Sequence, residues 1–114
     1  MPGPANISFG NVSGSFILQV ANTVTTNVGA NTSVERTITV PGLRAGIDVV
    51  TGVSKPSAQA GLAIVAARVS ANDTLALTYM NASGGAIGPA AETYLIQVDR
   101  AGYDSQASIP TAIA

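Results

Sequence analysis

Chemistry in this sequence would have to come from acids, cations and tyrosines, because histidine and cysteine are absent. That removes the common general base, the soft metal ligands and every thiol nucleophile. The six acids are Glu35, Asp48, Asp73, Glu92, Asp99 and Asp104, and none stands in the D-x-D-x-D-G spacing of a calcium loop. A carboxylate pair for glycoside hydrolysis would need two of them to meet across a cleft that a chain this small has little room to form. Each reads instead as a turn or surface residue, and Asp73 is placed to fix a turn through its side chain. Ser83-Gly84-Gly85 lacks the Lys-Ser/Thr and the helix of a phosphate loop and reads as a flexible connection. The Asn-x-Ser/Thr triplets at Asn6, Asn11, Asn31, Asn72 and Asn81 are expected by chance in a chain so rich in Asn, Ser and Thr. The cations Arg36, Arg44, Lys55, Arg68 and Arg100 are scattered. Arg36 and Arg68 fall on otherwise apolar faces, where each either meets a neighbouring chain's carboxylate or marks a strand end. The expectation is no catalytic centre, no cofactor and no metal.

The elements that would position these side chains read as strands. Period-two alternation dominates. A short strand is expected at 7–12. In 15–20, Phe16, Leu18 and Val20 alternate with Ser15, Ile17 and Gln19. Residues 23–28 are rich in Thr and Val and are expected to form a strand. In 34–40, Val34, Ile38 and Val40 share one face and Glu35, Thr37 and Thr39 the other. Pro41-Gly42 is a turn signal, and 47–53 follows as a strand. Residues 58–69 are apolar on both faces. Alanine there favours helix, while Ile64, Val65 and Val69 favour strand; a strand is expected over 62–70. A tight turn at 71–73 leads into 74–80, with Leu75, Leu77 and Tyr79 inward. After the glycine-rich 81–89, residues 93–99 place Tyr94, Ile96 and Val98 on one face and Leu95 on the other. Tyr94 reads either as a tyrosine corner, bonding back to the backbone, or as an ordinary core residue.

Seven or eight short strands separated by turn signals imply an all-β fold, a single β-sandwich of immunoglobulin-like or jelly-roll-like type with extended terminal arms. The expected organisation is an N-terminal arm over 1–6, a sandwich over 7–104 and a C-terminal tail over 105–114. Pro2 and Pro4 stiffen the first arm. The tail carries Ile109, Pro110 and Ile113 among small residues and no charge.

The bulk numbers point to assembly. The chain has 114 residues and 11.3 kDa, enough for one domain. Its charged fraction is 10%, against about 25% in an ordinary soluble domain. A folded monomer of this mass exposes roughly 5,700 Å², so eleven charges, five basic and six acidic, leave most of that surface neutral. Either much of it is covered in an assembly, or a Thr/Ser/Asn-rich surface keeps the chain soluble without charge. Net charge is −1, which offers a nucleic-acid backbone little to bind. No apolar run reaches the ~20 residues of a membrane span. Met1-Pro2-Gly3-Pro4 is not followed by the apolar stretch of a secretory signal, so synthesis in a cytoplasm is expected.

From Val28 to Val98 the sequence resembles small virion proteins of tailed bacteriophages. The resemblance lies in a Thr-rich strand ending in Val40-Pro41-Gly42-Leu43, a Gly-x-x-Val-Val strand from Gly46, an Ala67-Arg68-Val69-Ser70 turn, an apolar strand ending in Asn81, and a last strand after Tyr94. Where that pattern has Gly-Asp, this chain has Gly46-Ile47, with the acid one place later at Asp48. The resemblance implies a capsid decoration (cement) or head-fibre protein. It implies a homo-oligomer or lattice-bound array on a major capsid protein or other virion protein, with the capsid surface as its location. The contact residues expected from the sequence are Pro2, Pro4, Leu95, Ile109, Pro110 and Ile113. The competing class is a carbohydrate- or receptor-binding β-sandwich, which the absence of Trp and the few Tyr and Phe disfavour.

Overall fold

The computed structural model describes residues 12–101. Six strands follow in order: β1 (Val12–Ala21), β2 (Thr32–Thr39), β3 (Asp48–Ser54), β4 (Leu62–Ala71), β5 (Thr74–Asn81) and β6 (Thr93–Ala101). They form two three-stranded antiparallel sheets, β1-β6-β3 and β2-β5-β4, packed as a β-sandwich. The all-β reading holds, and the ambiguous 62–70 is a strand. Its alanines cannot impose a helix here, because β4 pairs with β5 along its whole length. Residues 67–70 therefore lie inside β4 and make no turn; the turn comes at Asn72-Asp73. The strand expected at 23–28 does not form. Of that segment only Val28 pairs, in an isolated bridge to Ile87. Polar Thr and Asn break its apolar alternation, and the chain there serves as the crossover from one sheet to the other. The strand expected at 7–12 lies outside the described residues except for Val12, the first residue of β1.

Each sheet has one central strand, and these two supply the heart of the core. Leu75, Leu77 and Tyr79 of β5 face Tyr94, Ile96 and Val98 of β6, and all six are fully buried. The flanking strands add Phe16, Leu18 and Val20 from β1, Val34 and Ile38 from β2, Val50 and Val53 from β3, and Ile64 and Val69 from β4. Burying a side chain of this kind contributes about 1.5–3 kcal/mol. The two phenols meet across the core with their hydroxyl oxygens 3.0 Å apart. Tyr94 is thus a core residue whose partner is Tyr79; its hydroxyl does not make the backbone bond of a tyrosine corner. Burial raises both phenol pKa values, so the pair stays neutral.

The two ends of the sandwich are closed by polar side chains. At one end the β4–β5 turn locks onto the β2–β3 connection. Asp73 takes a left-handed φ of 62°, which Asp tolerates. Its backbone N–H donates to Leu43 O at 2.7 Å, and its carboxylate accepts from Gly42 N at 2.7 Å. The Asp73 side chain therefore fixes the Pro41-Gly42 turn and not its own. At the other end Asn81 is fully buried. Its amide donates to Val28 O and Gly85 O, and its carbonyl accepts from Ser83 N and Oγ, which folds the glycine-rich loop back onto β5.

Gly61 opens β4 at that same end with a φ of +87°, and a Cβ there would lie 2.9 Å from Ser83 Cβ. Both conformation and space exclude a side chain. Gly61→Ala is therefore expected to cost about 1–3 kcal/mol. Gly84→Ala, where a Cβ meets nothing within 4 Å, should stay within about 0.5 kcal/mol. Urea denaturation of the two variants checks the pair.

Candidate docking face

Five of the six carboxylates lie among the described residues, and each is committed to its own chain. Arg100 grips Asp48 bidentately, Nε to Oδ1 at 2.7 Å and Nη2 to Oδ2 at 2.9 Å. Asp48 also accepts from Arg44 N, and Arg100 donates to Gly42 O and lies over the Phe16 ring, 5.5 Å from its centroid. Lys55 pairs with Glu92 at 2.8 Å, both side chains largely covered, and also donates to Ser57. Glu35 and Arg68 meet at 2.8 Å through two parallel bonds. They stand on β2 and β4, opposite Thr78 and Ala76 of β5, so their pair crosses the central strand diagonally on the outer face of that sheet. Asp99 accepts from Ser15 Oγ at 2.7 Å. Asp73 holds Gly42, as above.

The arginine expectations are corrected by this geometry. Arg68 neither marks a strand end nor waits for a neighbour, since its carboxylate is Glu35. Arg36 is turned toward the core face and donates to Thr26 O and Asn27 O, holding the crossover loop. No group of three or more acids gathers where it could hold a metal among the described residues, and no helix there is long and apolar enough to cross a membrane. The arrangement uses its charges to fasten turns and strand ends.

The outer face of the β1-β6-β3 sheet presents a different surface. Pairing places Ser15, Asp99 and Val49 in one row, then Ile17 beside Gln97, then Gln19, Leu95 and Ser54. Ile17 is 65% exposed, Val49 58% and Leu95 44%. The one charge that the described residues place on this face, Asp99, is already bonded to Ser15. Three branched aliphatic side chains thus stand in water on a nearly neutral sheet face, with glutamines and hydroxyls between them. The sequence picked out Leu95. It also placed Ile17 on the face opposite Phe16, but the polar Ser15 and Gln19 on either side masked Ile17 as a contact. Val49 was hidden because 47–53 is apolar at most positions, and only the register shift between Val50 and Gly52 decides which valine faces out. The other expected contacts, Pro2, Pro4, Ile109, Pro110 and Ile113, lie outside the described residues.

If this face is spare surface, removing its aliphatics should leave the fold intact. Leu95→Ala and Ile17→Ala are expected to change stability by no more than about 0.5 kcal/mol. Ile96→Ala, one residue away but fully buried, should cost about 2–5 kcal/mol; chemical denaturation compares them directly. A second expectation concerns acid. The Arg100 guanidinium holds the Asp48 carboxyl below its ordinary range. The stability that this pair gives is complete above the unfolded pKa of about 3.9. It is lost as pH falls through the lower folded value. Melting temperature should therefore drop through this acid range in the native chain, and less steeply in Asp48→Asn.

No family model, curated protein or solved structure matches this chain.

Proposed function

We propose that the chain is a non-enzymatic virion structural protein, a capsid decoration (cement) protein that binds a phage head in many copies. The observation that carries an assembly role is the outer face of β1-β6-β3, with Ile17, Val49 and Leu95 exposed on a face where the described residues place a single, internally bonded charge. A free monomer avoids such a surface and an assembled one covers it. The sequence resemblance over 28–98 supplies the virion setting and the partner, a major capsid protein or another virion protein.

The size of the face favours an array over a tight pair. Three strands about 4.8 Å apart and up to ten residues long make a patch of roughly 14 by 30 Å. That is well below the ~800 Å² per partner of a stable two-body complex. Many weak, identical contacts on a lattice reach high occupancy where one such contact would not. A sugar-binding reading finds little support, because the two tyrosines of the described sandwich are both buried in the core and offer no platform for a sugar ring.

The test is cosedimentation with the particle. Ile17→Asp/Leu95→Asp should fold like the parent, because both sites face water. It should fail to pellet with heads that the native chain saturates, since each new carboxylate would be desolvated without a partner. Saturation by the double variant at native affinity would exclude this face as the docking surface.

A further inference from the structure

Four strands stand at sheet edges among the described residues, and three of them carry a device that hinders pairing. β2 bears Glu35 and Arg36. β3 breaks register between Val50 and Gly52. β4 breaks it twice, between Ile64 and Ala66 and between Val69 and Ala71, and bears Arg68. Charges and bulges of this kind keep an edge from pairing with another chain. β1 differs. Its ten residues hold no charge and no proline, and after the shift between Val12 and Gly14 its ladder with β6 runs unbroken to Ala21. The crossover that follows it is held elsewhere: Arg36 bonds to Thr26 O and Asn27 O, and Val28 pairs with Ile87.

The ladder fixes which backbone groups of β1 point outward. The Asn22 N–H donates to Glu92 O at 2.8 Å, one step beyond the Ala21–Thr93 pair. Peptide groups alternate in direction along a strand, so Gly14, Phe16, Leu18 and Val20 turn theirs toward β6. Ser15, Ile17 and Gln19 turn theirs to the open edge. On the inner face Phe16 and Leu18 are only partly buried, whereas Ile96 and Val98 beside them on β6 are fully buried. The margin of the core is therefore incomplete along the same edge.

We propose that β1 pairs antiparallel with β1 of a second copy, about a two-fold axis at Ile17. In this register Ile17 faces Ile17 of the second copy and Ser15 faces Gln19, each pair exchanging two N–H···O bonds. On the inner face Phe16 stands opposite Leu18 of the second copy at the close spacing of a non-hydrogen-bonded pair, which covers both. An axis at Leu18 would set Ile17 against Gln19, a poorer match of aliphatic with polar. The two sheets become one of six strands, and their outer faces fall on the same side. The patch of Ile17, Val49 and Leu95 then doubles to roughly 28 by 30 Å, close to the ~800 Å² that one partner buries in a stable interface. Each copy uses its own β1 edge, so the pair closes and does not propagate. The pairing is a property of the chain itself and stands apart from the docking role of the outer face.

Analytical ultracentrifugation of the full chain, with no phage head present, reads the pair directly. The native chain should sediment at twice its 11.3 kDa mass. Gln19→Pro removes an outward N–H from β1 and none that faces β6, and proline is accepted at such edge positions. The variant should keep its strand circular dichroism. Its dimer dissociation constant should rise about thirtyfold, since one hydrogen bond is lost from each copy. Because the chain has no cysteine, Ile17→Cys places a lone thiol on the axis. The Cα atoms of a hydrogen-bonded pair lie about 5.5 Å apart, within disulfide reach. Mild oxidation should therefore link two copies through Ile17→Cys, while Leu95→Cys, on the same face but off the axis, should stay reduced. A native chain that sediments as a monomer at every concentration overturns the proposal. So does a folded Gln19→Pro variant that dimerises as tightly as the native chain, or a disulfide dimer through Leu95→Cys in place of Ile17→Cys. If Gln19→Pro unfolds, the two cysteine variants decide.

Discussion

The structure depends on the meeting of two rows of side chains, one from each central strand. Leu75, Leu77 and Tyr79 of β5 and Tyr94, Ile96 and Val98 of β6 are all fully buried. Their register with the flanking strands decides which face of every other strand turns inward. The contact between the Tyr79 and Tyr94 hydroxyls lets two large aromatic residues be buried with their polar ends satisfied, where an unpaired hydroxyl would cost about 1–3 kcal/mol. It also fixes the two sheets against each other, because sliding either central strand by one residue would turn its tyrosine out of the core.

Charge is distributed around that constraint. With few charged side chains, the chain places them where turns and strand ends need fastening. Arg100, Asp48 and the 42–44 backbone close one end, while Lys55 and Glu92 brace the other. Among the ion pairs of the described residues, only Glu35–Arg68 lies across a sheet surface, and that surface belongs to β2-β5-β4. The opposite surface is left nearly neutral as a result. A protein that spent more charge on solubility would not expose Ile17, Val49 and Leu95 together on one sheet, so the neutrality of this face and the scarcity of charge in the chain have one explanation.

Much of this was legible in the sequence, and the reasons for the rest are physical. Alternation identified β1, β2, β5 and β6 and their inward residues, because each has one dry and one wet face. It resolved β4 less sharply, since alanine on both faces blurs the period. It failed at 23–28, where Thr and Val have strand propensity but only Val28 finds a pairing partner, and pairing is what makes a strand. Val49 was invisible because a bulge resets the period within β3. The ion pairs were beyond reach for another reason: Glu35–Arg68 and Asp48–Arg100 join residues 33 and 52 positions apart, and single-sequence patterning carries no information at that range. Local chemistry was easier to see than its target. Asp73 was recognised as a turn-fixing side chain, but the turn it fixes lies 31 residues away.

The central claim is that folding is carried by the inward rows while one outward row is kept for contact. Hydroxyl-radical footprinting of the chain, free and mixed with phage heads of the kind proposed as its partner, tests this most directly. Ile17, Val49 and Leu95 should be oxidised in the free protein and protected when bound. Met80, exposed on the outer face of the other sheet, should react equally in both. Protection of Met80 with undiminished reactivity at Ile17 and Leu95 would contradict the claim.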